Sequence, residues 1–292
     1  KDGAGVGRVM KLPANSSVIG TIQYLFPREN VDLKYLYYLI KYLDLGKSNT
    51  GATIPHIYFK DYKKRKVKVR DYSEQKHIGQ ILELIDSHLS TYKNILDQYD
   101  LLIKSRFVEM FGNPIINDKK YPIFKLKDIS QKIGSGFTPR GGDSNYIEEG
   151  IAFIRSMNIY NNTFKKENLA YIDEFLANQL SQVELFSGDL LLNITGASVA
   201  RCCTVPDNIL PARVNQHVCI IRQCRISNVF LEYCLTNESY QEYLLLLSNK
   251  NGATREALTK SQVENLEVIF PPLTEITRFV KIVHQINKLK FA

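Results

Sequence analysis

From Ser73 onward the chain places apolar residues alternately four and three apart: Ile78, Leu82, Ile85, Leu89, Tyr92, Leu96, Tyr99 and Ile103. A spacing that averages 3.5 keeps them on one stripe of an α-helix, the seam of a coiled coil. The seam breaks at Arg106, resumes at Phe107 and Met110, and ends at Gly112-Asn113-Pro114, where a helix cannot continue. Ser73 is the predicted N-cap, with Glu74 in the first turn. A helix over 74–111 would be about 57 Å long, too long for one face of a compact domain. It is predicted to be a strut, paired antiparallel with a second helix that starts at Thr274 and buries Phe279, Val283 and Ile286.

Outside the struts the pattern shortens. Val18 to Phe26 alternates like a strand, and Leu33 to Leu43 is apolar on most faces, which predicts a helix. Further on, Ile151 to Arg155, Gly188 to Ile194 and Asn215 to Ile221 predict strands, and Val229 to Leu247 a helix. The run Ile133-Gly134-Ser135-Gly136-Phe137-Thr138-Pro139-Arg140-Gly141-Gly142 predicts turns, and Pro271-Pro272 separates a domain from its strut.

These elements occur twice. Gly51-Ala52-Thr53 returns as Gly252-Ala253-Thr254, and at the same shift of 201 Ile78, Ile81, Leu82 and Ile85 are matched by Phe279, Ile282, Val283 and Ile286. An earlier block matches Gly3, Ala4, Val6 and Arg8 to Gly196, Ala197, Val199 and Arg201, and Pro13 to Pro206, at a shift of 193. A unit of about 200 residues is a duplicated domain, not a solenoid repeat. The expected organisation is the C-terminal part of a first domain over 1–72, a strut over 73–112, a complete second domain over 113–272, and the start of a second strut over 273–292.

The formal charge of +8 favours a polyanionic partner without identifying it. Five cysteines, at 202, 203, 219, 224 and 234, form no CxxC pair and are odd in number, so buried thiols in a reducing compartment are expected. With no apolar run of membrane-spanning length and no secretory leader, a cytoplasmic protein is expected.

Four segments carry a family resemblance. They are Gly134-Ser135-Gly136-Phe137-Thr138-Pro139, Gly188-Asp189-Leu190-Leu191 leading to Thr195-Gly196-Ala197-Ser198, Asn215-Gln216, and Gly252-Ala253-Thr254 running through Leu258-Thr259-Lys260 to Pro271-Pro272-Leu273. Their order, spacing and duplication resemble the specificity subunit of type I restriction-modification systems. The resemblance implies an α+β fold: two pseudo-symmetric α/β target recognition domains, here with the first incomplete, separated by long antiparallel coiled-coil helices. It implies that each domain reads half of a split double-stranded DNA site. It further implies that chemistry belongs to partners, two modification subunits that methylate adenine with S-adenosylmethionine and restriction subunits that cut. The specificity subunit itself would need no cofactor. Two other readings stay open, the recognition part of a fused or two-component restriction enzyme and a stand-alone coiled-coil DNA-binding scaffold.

Duplex binding needs Lys or Arg for phosphates and Arg, Asn, Gln, Ser or Thr for base edges. The densest basic cluster gives Lys60, Lys63 and Lys64 as candidate phosphate contacts, with Lys260 near the place of Lys60 in the repeat. Polar residues at glycine-flanked turns or strand ends give Thr138, Arg140, Arg155, Asn193, Thr195, Ser198 and Arg255 as candidate base readers. Arg8 and Arg201 match across the repeat and fit phosphate contacts or internal ion pairs. Tyr24, Tyr58 and Tyr160 fit either the core or DNA. Gly3-Ala4-Gly5-Val6-Gly7 is not a phosphate loop, since no Lys-Ser/Thr and no helix follow it. Asn113-Pro114-Ile115-Ile116 lacks the aromatic residue of an adenine methyltransferase motif. The scattered histidines offer no zinc-ligand set, and a non-enzymatic chain is expected.

Overall fold

The computed structural model describes residues 2–48, 54–139, 141–222, 225–249 and 256–290. The chain divides into two compact units, Lys1–Leu96 and Asp97–Ala292, with the boundary inside one long helix.

The first unit contains α1 (Leu33–Leu43), the single turn α2 (Phe59–Tyr62) and the start of α3 (Tyr72–Phe111). Asp32 caps α1 by accepting from the Tyr35 amide, 2.9 Å. The α1 entry packs on Gly79, where a Cβ would come 3.0 Å from Asp32, Lys34 and Tyr35. Gln75 is buried there, accepting from the Asp32 amide and donating to the carbonyls of Asn30 and Arg70. The cap of α3 is Asp71 rather than Ser73: its carboxylate accepts from the Glu74 amide, 2.9 Å, and that bond holds its pKa below the usual value.

Val18–Phe26 forms no strand; Ile19, Tyr24 and Phe26 are exposed. Alternation gives a segment a face to bury but no partner strand, and Val18–Phe26 makes no ladder pairing among the described residues. Lys64–Val69 is likewise irregular.

The second unit opens with β1 (Ile123–Lys125), α4 (Leu126–Ile129), β2 (Lys132–Ser135), β3 (Ile151–Ile154), β4 (Ile159–Tyr160), β5 (Thr163–Phe164) and β6 (Ala170–Ile172). It continues through α5 (Glu174–Gln179), β7 (Leu190–Asn193), β8 (Cys202–Thr204), β9 (Ala212–Val214), β10 (Val218–Arg222), α6 (Asn228–Leu235) and α7 (Glu238–Asn249). It closes with α8 (Lys260–Glu264), β11 (Glu267–Ile269) and α9 (Leu273–Lys290). An antiparallel sheet of order β2-β10-β7-β8 stacks on a three-stranded sheet β6-β3-β9, in which β3 and β9 run parallel.

Strand alternation explains the layering. Leu190, Leu192, Cys202, Cys219 and Ile221 face a helical layer of α6, α7, α9 and the end of α3. Leu191, Cys203, Val218 and Ile220 face the second sheet with Ala152, Ile154, Ala212 and Val214. A sheet buried on both faces needs the unbroken apolar run that β7 has. The cysteines at 202, 203, 219 and 234 are buried and unpaired, and burial pushes the Cys219 and Cys234 thiols up to about 12; Cys224 lies outside the described residues. The helix expected over 229–247 is two, because the Asn237 side chain accepts from the Ser239 amide, 3.1 Å, and starts α7 afresh.

The helical layer also locates the second strut. Phe279 of α9 lies 5.6 Å from Phe107 and 5.5 Å from Phe111, ring to ring, while Lys290 bonds to Asp100, so α9 runs antiparallel to the end of α3. Ile103, Phe107, Phe111, Phe279, Val283 and Ile286 are buried together. The earlier half of the seam is not filled by α9: Ile78 and Leu82 are half-buried in the first unit, while Ile85, Leu89, Tyr92 and Leu96 are exposed, Tyr92 by 66%. With 18 residues α9 is about 27 Å long and spans less than half of α3.

One buried charge stands out. Glu232 on α6 accepts from the Thr204 amide (2.9 Å), the Thr204 hydroxyl and Asn162 (3.2 Å), and no cation faces it among the described residues. Burial raises its pKa above the usual carboxylate range. The folded state therefore holds this proton more tightly than the unfolded chain, so its contribution is complete below the unfolded pKa and is lost as pH rises through the folded one. Glu232→Gln is expected to flatten the decline in stability across that window, seen in denaturant melts at a series of pH values.

Candidate nucleic-acid interface

Parts of the four segments that carry the resemblance, Ser135-Gly136, Thr195-Gly196, Asn215-Gln216 and Leu258-Thr259, are far apart in sequence and meet at one end of the four-stranded sheet; Gly252-Ala253-Thr254 lies outside the described residues and Gly188-Asp189 at the other end of β7. Because β10 is antiparallel to both β2 and β7, their C-terminal ends and its N-terminal end coincide, with Ser135 opposite Cys219 and Asn193 opposite Val218. Gly136 donates to the Val218 carbonyl, 3.1 Å, and its place has no room for a side chain: a Cβ would lie 2.0 Å from the Val214 carbonyl oxygen and 2.4 Å from that of Asn215. Gly136→Ala must push the β9–β10 turn off β2, costing about 1–3 kcal/mol. Loss of recognition by the second unit alone is the expected result in a DNA-binding assay.

Thr195 leaves β7 and bridges to Ala257; the Gly196 amide donates to the Glu256 carbonyl, 2.9 Å, and the Leu258 amide to that of Ile194, 2.8 Å. The turn needs left-handed backbone at Gly196 (φ +73°) and at Ala200 (φ +72°). Asn215 is buried and accepts from the His217 amide, 3.1 Å, which leaves Gln216 exposed at the tip of the β9–β10 turn. His217 Nδ1 is 2.5 Å from the Thr195 hydroxyl. Thr259 and Gln262 form a capping box at the start of α8 and hold the fourth segment.

Basic side chains flank this end. Lys165 and Arg201 lie 4.0 and 4.5 Å from the ring centroid of Tyr160, and neither has a carboxylate partner among the described residues. Arg201 follows the glycine turn directly, its amide donating to the Ser198 carbonyl. Its repeat partner Arg8 is exposed and also without a carboxylate, so neither arginine makes the internal ion pair that the sequence left open. Lys165 was not singled out from sequence, because only the β4–β5 hairpin carries it to Tyr160.

The remaining candidates separate. Thr195 and Ser198 are half-buried on the turn, and Thr138 is half-buried just beyond Gly136. Asn193 is fully buried and donates to the Ser156 carbonyl, 2.9 Å, so it braces the strand end and cannot reach a base edge. Arg155 is committed inward: its guanidinium donates to the Asn168 carbonyl, 2.6 Å, and stacks on Tyr146. Lys260 is exposed, 3.5 Å from Glu264. In the first unit Lys60, Lys63 and Lys64 are exposed, with Lys60 over Tyr58 and Lys63 over Phe59. Arg140 and Arg255 lie outside the described residues. No group of His, Cys, Asp and Glu able to hold a metal occurs among the described residues. Nor is any described helix long and apolar enough to cross a membrane.

The first unit builds the same turn. Gly3 and Gly7 have φ of +78° and +81°, the Val6 amide donates to Gly3 as Val199 does to Gly196, and Asp2 bridges to His56 as Thr195 does to Ala257. The glycine turn is thus repeated in both units, beside cations that have no carboxylate partner among the described residues, an arrangement able to contact a polyanion at two places. Residues 1–98 and 118–292 match the family described as the type I restriction modification DNA specificity domain, and the chain belongs to that family. It recognises DNA sequence and is not the catalytic member of its system. A type I restriction enzyme specificity subunit, MjaVIII, from Methanocaldococcus jannaschii is 21% identical over 94% of this chain and 68% of its own length. Among solved structures, the type I restriction-modification S subunit from M. genitalium superposes with a TM-score of 0.58 at 14% identity, over 89% of this chain and 67% of that one.

Proposed function

We propose that the chain reads a split DNA target, one half-site through each copy of the glycine turn, and directs adenine methylation or cleavage by two modification subunits and the restriction subunits that associate with them in the cytoplasm. The carrying observation is the turn itself, repeated with the same backbone bonds in both units and displaying different side chains. Recognition of this kind consumes nothing and needs no cofactor on this chain; S-adenosylmethionine would be held by the modification subunit. In this reading Thr138, Thr195, Ser198 and the exposed tip residue Gln216 meet base edges, and Arg8, Arg201, Lys165, Lys260 and the Lys60 cluster meet phosphates.

The test is to sequence methylated sites in cells that express the protein with its methyltransferase partner. A motif of two short blocks separated by a fixed gap is expected. Inserting seven residues into α3 near Leu89 keeps the helix face almost unchanged, since a heptad drifts by only about 20°, and adds about 10.5 Å. The permitted gap is expected to change while both blocks stay the same. A continuous motif, or an insertion that alters the blocks and not the gap, would reject the reading.

A further inference from the structure

We infer that the residue opening each glycine turn, Asp2 in the first unit and Thr195 in the second, is a specificity-determining position, acting together with the histidine it holds. This rests on the DNA-reading function and adds to it the residues that make the two half-sites differ.

The argument starts from what is identical. Besides the matched left-handed positions, the turn bonds repeat in length: Val6 to Gly3 and Val199 to Gly196 are both 2.9 Å. Arg8 to Gly5 is 3.0 Å and Arg201 to Ser198 is 3.2 Å. The bond that fastens the turn to the facing segment also repeats, Gly3 to Pro55 at 3.0 Å and Gly196 to Glu256 at 2.9 Å. Backbone alone therefore sets this geometry, and side chains that served only to brace it would have no reason to change.

They do change, and in a particular way. The Asp2 carboxylate is 3.0 Å from His56 Nδ1, and the Thr195 hydroxyl is 2.5 Å from His217 Nδ1. The two histidines come from different places. His56 lies across the bridge, where the second unit has Ala257; His217 lies in the β9–β10 turn, where the first unit has Tyr24 at the shift of 193. So the pairing of an oxygen side chain with an imidazole recurs, while the charge of the oxygen group and the direction from which the ring arrives differ. The His56 side chain is 34% exposed and that of Asp2 18%, and Thr195 and His217 are half-buried.

The chemistry distinguishes the two positions. A carboxylate only accepts, so it matches the amino group of cytosine or adenine and rejects the carbonyl edges of guanine and thymine. A hydroxyl donates or accepts, and tolerates either kind of edge. In the first pair the second ring nitrogen of His56 offers one further polar contact; in the second, His217 Nε2 lies 3.4 Å from the Gln216 side-chain amide and joins that exposed residue to the pair. The first unit is therefore the stricter reader at this position, and its half-site carries an amino group there.

The test uses the full-length protein assembled with its methyltransferase partner. Asp2→Asn keeps shape and adds a donor; Thr195→Val keeps shape and removes the hydroxyl. Sequencing of methylated sites should show Asp2→Asn altering one base position of the first half-site, with preference there reduced about tenfold or more, and the second half-site untouched. Thr195→Val should alter only the second. Unchanged motifs in both variants would overturn the inference. If a variant abolishes methylation, binding of its complex to duplexes substituted one base at a time decides: flattened preference at a single position supports the assignment, and wild-type preference at every position overturns it. Should the wild-type complex itself yield no two-part motif, the DNA-reading function fails instead, so the two failures are told apart.

Discussion

Phe107→Ala is expected to lower the stability of the second unit by about 3–5 kcal/mol and its melting temperature by about 10 °C. The ring is 1% exposed and meets Phe111, Phe230 and Phe279 at centroid distances between 5.2 and 5.6 Å, in tilted or edge-to-face geometry. Those rings come from three helices, α3, α6 and α9, so truncation opens a cavity that no single element can close by a local shift. Aromatic pairs of this kind add to the burial term. Leu89→Ala, on the same helix and the same predicted seam, is expected to change stability by less than about 0.5 kcal/mol, because the side chain is 62% exposed. Denaturant or thermal melts of the two variants separate a filled seam from an open one; equal effects would mean that the seam is packed along its whole length.

That contrast also shows what the sequence could and could not reveal. Heptad spacing located α3 from its first turn to Gly112, and the repeat located α9, because periodicity of apolar residues is a local property of the chain. Which part of the seam is buried depends on a partner 180 residues away and on where that partner passes, and no local pattern carries it. The strand expected over Val18–Phe26 failed for a related reason: alternation shows that a segment can enter a sheet, while the sheet itself must come from strands elsewhere. At the site, glycines and a duplicated motif pointed to the turns that recur in both units. They did not separate Thr195, which sits half-buried on the turn, from Asn193 two residues earlier, which is buried at the end of a strand covered on both faces. Arg155 looked like a reader because it follows a strand; the Asn168 carbonyl that claims it arrives from a loop thirteen residues on. Lys165 and His217 became visible only once β4–β5 and β9–β10 were folded beside the turn.

Replacing Lys60, Lys63 and Lys64 together with glutamine is expected to make DNA binding less sensitive to salt without changing which sequence is bound. Each phosphate contact releases condensed counterions and contributes about 0.9 to the slope of log affinity against log salt, so three contacts contribute about 2.7. Between 50 and 200 mM salt the wild-type complex should therefore lose about 40-fold more affinity than the variant. Lys60 and Lys63 rest 5.2 and 5.8 Å from the centroids of Tyr58 and Phe59 with no carboxylate partner among the described residues, so they are held at the surface and are not spent on ion pairs. Arg65 in the same cluster differs, because its guanidinium is tied to the Leu43 carbonyl and Ser48, and its removal should cost structure as well as charge. Fluorescence anisotropy of the assembled complex on its target duplex and on a scrambled duplex supplies both readouts. Since phosphates are the same under every base, the two duplexes should weaken in parallel. An unchanged slope would remove these lysines from the DNA path, and a loss confined to the target duplex would make them base readers instead.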